Sequence, residues 1–132
     1  MRRLLTVVLI LSVVAYCGCG SNTSKTDNIH GTWQSLWEKD IKLQLQLNDD
    51  GRFKVTLTRT GQVHNNLGWY SIEDGIFMLR DSVDYPLPVC NTVDTGKYTY
   101  RLHQDTLQFK LVEDKCERRS TALQLERFVR VN

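Results

Sequence analysis

Proline is scarce in this chain, with two residues in 132, and glycine numbers only eight. That composition excludes collagen-like and proline-rich disordered architectures. Charge of one sign is missing too: 17 Lys and Arg are interspersed with 15 Asp and Glu, for a formal net charge of +2. No basic run or stripe marks a nucleic-acid partner, and the pair Arg118-Arg119 reads as ordinary surface. Nothing repeats at a period longer than a strand. The cysteines lack CxxC spacing, and no stretch has the form of a nucleophile elbow, a phosphate loop or a metal-ligand cluster. His30, His64 and His103 are scattered, with His64 in a polar loop and His103 at a turn. The carboxylate pairs Asp49-Asp50 and Glu73-Asp74 fall in turn sequences, where solvation and turn chemistry account for them. The expectation is a non-enzymatic protein without cofactor or bound metal.

One long hydrophobic run is present, residues 4–16, following Met1-Arg2-Arg3. At about a dozen residues it suits the core of a secretory signal and falls short of the about 20 that a bilayer span needs. It ends in "AYCGCGSNTSKTDN". The chain thus divides into a signal segment (1–19), a polar tether (20–29) and about 100 residues (30–132), enough for one small domain with one core. The end of the leader resembles a bacterial lipobox, in which a small residue precedes a cysteine that becomes the lipidated N-terminus. Cys19 follows Gly18 and meets that requirement; Cys17 follows bulky Tyr16 and is the alternative. The resemblance implies three acyl chains, a firm anchor where one chain is marginal. Gly20 stands where Asp would signal inner-membrane retention, so the expected address is the outer membrane, with the domain facing the periplasm or the surface. A plain signal peptide would instead release a soluble domain.

From residue 30 onward, alternation with period two dominates. In "IKLQLQLNDDGRFKVTLTR", a three-residue loop Asp49-Asp50-Gly51 sets Leu47 opposite Phe53, Leu45 opposite Val55 and Leu43 opposite Leu57. In "GWYSIEDGIFMLRD", the turn Asp74-Gly75 pairs Ile72 with Phe77 and Tyr70 with Leu79. Trp69 then falls on the other face near Arg80, partly exposed or under a stacked cation. In "GKYTYRLHQDTLQFKLVEDKC", a turn at Gln104-Asp105 pairs Leu102 with Leu107, Tyr100 with Phe109 and Tyr98 with Leu111. With "GTWQSLW" before and "ALQLERFVRV" after, about eight strands result and no helix beyond the leader. A meander with one apolar face must bury it, and closure also removes the edges. The expected fold is all-β, a single up-and-down antiparallel barrel. At this strand number the interior is either filled by side chains or holds one small ligand.

Cys90 and Cys116 flank the third hairpin and arrive together at its open end. In an exported chain such a pair is expected to bridge, contributing roughly 3 kcal/mol.

The opening Gly31-Thr32-Trp33 of the first strand resembles the signature of lipocalins and the wider calycins. The resemblance implies that Trp33 plugs one barrel end under an arginine near the last strand, Arg130 or else Arg127. Gly96-x-Tyr98 and the ending Asp114-x-Cys116-x-x-Arg119 are similar to small bacterial lipocalin-like proteins. Two features depart from the family: "DTGKYTY" only echoes its second motif, and the chain is short for its C-terminal helix.

Two functions follow. In the first, the barrel binds a small apolar or amphipathic ligand, lined by Leu43, Leu45, Val55, Leu57, Tyr70, Phe77, Leu79, Tyr98, Tyr100 and Phe109. For each of these residues taken singly, plain core is the more common role. Buried, the hydroxyls of Tyr70, Tyr98 and Tyr100 call for partners and point to water or a polar ligand group; the alternative is that they reach the barrel rim. In the second, a packed barrel binds another protein, as inhibitor or envelope assembly factor. Its surface would be the loop 81–95, which carries both prolines and Tyr85 and is tied by the disulfide.

Overall fold

A computed structural model describes residues 28–35, 40–82, 90 and 92–131. The expected signal, Cys17, Cys19, most of the tether, and positions 83–89 with Tyr85 and both prolines lie outside the described residues.

Eight antiparallel strands form one closed barrel in chain order: β1 (Gly31–Ser35), β2 (Ile41–Leu47), β3 (Arg52–Arg59), β4 (Gln62–Glu73), β5 (Ile76–Asp81), β6 (Gly96–His103), β7 (Thr106–Glu113) and β8 (Arg127–Val131). β8 returns to β1, pairing Trp33 with Arg130 and Ser35 with Phe128. All three hairpin registers expected from alternation are present, including Leu45 opposite Val55, Tyr70 opposite Leu79 and Tyr100 opposite Phe109. Turn chemistry explains the agreement. Gly51 sits at φ 79°, and Asp74 and Gly75 at φ 50° and 77°, conformations that these residues tolerate.

Three expectations are corrected. A helix, α1 (Glu117–Leu125), stands between β7 and β8. Its sequence has no apolar stripe, no side-chain cap bond and no basic residue in the last turn, so no local signal marked it. It is held by what it buries, Arg119, Ser120 and Leu123. Second, His64 lies within β4 and not in a loop; a turn at Thr60-Gly61, both at positive φ, extends this strand upward from β3. Third, Ile29 was expected to belong to a polar tether, but it is 1% exposed and belongs to the core.

The barrel has a closed end and an open end. At the closed end, Trp33 Nε1 donates to the Ile29 carbonyl at 2.8 Å. Arg130 covers the indole at 4.2 Å, the contact that the Gly-x-Trp resemblance implied, while Arg127 is exposed. Gly31 adopts φ 129°, and a Cβ there would meet Arg130 Nη1 at 2.8 Å, so the motif's glycine makes room for the arginine. From this plug the aromatics pack upward: Tyr70 stacks on Phe77 at 5.4 Å, Phe77 tilts against Phe109 at 4.8 Å, and Phe109 meets Phe128 edge-on at 6.0 Å. They fill the lower interior and give the upper half a floor.

Candidate functional site

Toward the open end the interior is hollow. A cavity of about 510 Å³ rises from Phe53, Phe77 and Phe128, with Leu43, Leu45, Val55, Leu57 and Leu79 as walls. α1 borders it through Arg118, Arg119, Ala122 and Leu123, and β4 through Val63, His64, Asn65 and Asn66. Thus Leu43, Leu45, Val55, Leu57, Phe77 and Leu79 line the cavity as expected from sequence.

The other four do not. Tyr70 belongs to the plug: its hydroxyl donates to the Asn48 carbonyl at 2.5 Å and meets His30 Nδ1 at 2.7 Å. Burial, then Asp50 and Asp49, push that hydroxyl up to about 12. Tyr98 is fully buried and donates to Asp114, and burial and that carboxylate together raise it well above the usual phenol range. Both hydroxyls therefore have protein partners, so neither calls for water or ligand. Tyr100 and Phe109 border a separate, polar depression of about 560 Å³ with Gln124, Glu126 and Arg127.

The cavity's polar edge centres on Asp81, at the end of β5 and 1% exposed. Arg119 was expected at the surface, yet it is 8% exposed and pairs with Asp81 at 3.1 Å and Asp114 at 2.6 Å. Burying a guanidinium requires such partners, and Arg119 has a carboxylate on either side. Burial raises Asp81 against the pull of Arg119. Burial acts likewise on Asp114, but hydrogen bonds from Arg119, Tyr98 and the Cys116 amide hold its carboxyl below the usual range. Asn66 Nδ2 completes the edge with a 2.7 Å bond to Asp81 Oδ1.

The two short motifs that carried the resemblance meet here. Gly96 leaves no space for a Cβ, which would stand 2.3 Å from Asp114 Oδ2. Tyr98, Asp114, Cys116 and Arg119 then form one knot, closed by the Cys90–Cys116 disulfide with Cα atoms 5.4 Å apart. Sequence reasoning missed Asn66, Asp81 and His64 because inward polar residues break the alternation that identified the other strands. Among the described residues no group of three or more His, Cys, Asp or Glu is placed to hold a metal ion.

Fold and site together define a small closed barrel, plugged at one end and hollow at the other. Comparison with family models, curated proteins and solved structures finds no match.

Proposed function

We propose that the protein is a non-catalytic, lipocalin-like envelope lipoprotein that takes a small apolar or amphipathic ligand into the barrel. The cavity carries this reading. Its about 510 Å³ lies within the range of ligand sites, and its lining is mainly aliphatic and aromatic with a few convergent polar groups. A barrel whose residues served only as core would close over that volume, since interiors are close-packed. Export rests on the 4–16 run, lipid anchoring on Cys19 after Gly18, and the outer-membrane address on Gly20 in place of Asp.

Intact mass spectrometry on the protein recovered from cells expressing the complete sequence tests both parts. The expected result is a chain beginning at Cys19 with acyl mass added, and a further mass present under native conditions and lost on denaturation. A bare native mass with no uptake from a lipid panel would remove the carrier reading.

One observation favours the second reading, a protein-binding barrel. Val63 at the cavity rim and Leu67 and Trp69 on the outer face of β4 are 57%, 38% and 45% exposed, large apolar side chains left at the surface of one strand. A partner that cross-links to wild type and is lost in Trp69→Ser would support it; cross-linking unchanged by that substitution would remove these side chains from consideration.

A further inference from the structure

On the outside of the barrel, β7 runs on past the start of β8. The two strands pair only from Thr106 to Gln108, opposite Val129 to Arg127, while β7 continues to Glu113. Beyond that point α1 packs beside β7 in the place of a strand. A helix cannot continue the ladder, and the polar depression of about 560 Å³ lies at this junction, between β6, β7 and the end of α1.

Three cations border it. Arg101 stands opposite Gln108, and Gln108 opposite Arg127, so one row crosses three adjacent strands. With strands about 4.8 Å apart, the two arginine Cα atoms are about 10 Å from each other. Lys110 lies two positions along β7 from Gln108, on the same face and about 7 Å away. All three are exposed, and none forms an ion pair among the described residues. By contrast, Arg52, Lys97 and Lys115 each have a carboxylate partner. Spacings of about one Debye length or less let the three charges act on one anion together.

One carboxylate, Glu126, borders the depression too, but it is 5% exposed, so the charge offered to solvent is positive. Thr99 and Gln108 add a hydroxyl and an amide on the same face. This set exceeds what a lone carboxylate can use. A phosphate ester brings three terminal oxygens and about two charges, enough for an arginine fork and an ammonium at once.

We infer that the depression is a binding site for a phosphate ester, held by Arg101, Lys110 and Arg127 and separate from the barrel cavity. The phosphate recognised is the same whether a free phosphorylated polyol or a lipid head group carries it. The inference stands independently of the carrier reading.

The test titrates two compounds calorimetrically into the protein recovered from cells expressing the complete sequence. Glycerol phosphate represents the free source, and dihexanoylphosphatidic acid places the same phosphate on a lipid; glycerol is the control. The expected result is binding of one or both phosphates, none of glycerol, and an affinity that falls as salt rises. Binding of the first compound assigns a free ligand, and binding of the second alone a lipid. The affinity should drop about tenfold for each arginine removed in Arg101→Gln and Arg127→Gln. If those variants fail to fold, Lys110→Gln carries the same comparison. No binding of either phosphate, or binding unchanged by the substitutions, would overturn the inference and leave the carrier reading standing. N-phenylnaphthylamine, a fluorescent apolar probe, reports the barrel cavity separately. Its displacement by glycerol phosphate would put the phosphate in the cavity and overturn the assignment to the outer depression.

Discussion

The guanidinium of Arg130 stands 4.2 Å from the centre of the Trp33 indole and donates to the carbonyls of His30 at 2.6 Å and Asn28 at 2.8 Å. One side chain of the last strand thus ties down a segment 100 and 102 positions away in the chain. It seals the end of the barrel opposite the cavity.

Replacing Arg130 by Met keeps the stem over the ring and removes the charge and the two bonds. The carbonyls lie where water reaches them, so the expected loss is moderate, about 1–2 kcal/mol in urea unfolding. No change in the midpoint would show that the arginine adds nothing beyond apolar cover.

Arg119→Met is expected to cost more, about 3–5 kcal/mol, because it leaves Asp81 and Asp114 buried without their cation. Unfolding midpoints of the two arginine variants, compared under one condition, check the order. A smaller loss for Arg119→Met than for Arg130→Met contradicts it.

Glu126 and Asp114 act oppositely on the pH dependence of stability. Asp114 is lowered from 3.8, so its contribution is present above that value and lost as pH falls through the folded value. Burial raises Glu126 from 4.5 against a weak pull from Ser35, and Glu126 Oε1 and Ser35 Oγ have no hydrogen-bond partner among the described residues. Its penalty is absent below 4.5, grows as pH rises through the folded value, and is complete above it. Glu126→Gln should therefore raise stability at neutral pH and leave it unchanged in acid. Urea midpoints across pH measure this; a loss at neutral pH would refute it.

Gly68 permits no side chain. A Cβ there would stand 2.2 Å from the Arg80 carbonyl oxygen and 2.4 Å from the Phe53 ring. The first is backbone of the paired strand and cannot step aside; the second is the cavity floor. Gly68→Ala is expected to cost about 2 kcal/mol or more and to displace Phe53. Thermal unfolding together with probe uptake by the cavity would register both effects.

How much was legible depended on the range of the interaction involved. Leu43, Leu45 and Leu47 alternate with polar neighbours, and Gly51 dictates the turn, so that pairing follows from a short stretch read alone. The cysteine pair and six of the lining residues followed from the same registers. His64 and Asn66 break the alternation because they face a hollow and not packed core. α1 carried no periodic signal because its most buried charged residue, Arg119, counts as surface by type.

The sequence by itself thus determined three of the hairpins with their turns and registers, since each rests on neighbours within a hairpin, and an apolar face that demands closure. Only the tertiary structure decided where the barrel stays hollow and which polar groups edge the hollow. Asn66 meets Asp81 across 15 positions, and Asp81 meets Arg119 across 38. Those contacts gain their strength only once the folded barrel has brought both partners together and removed them from water.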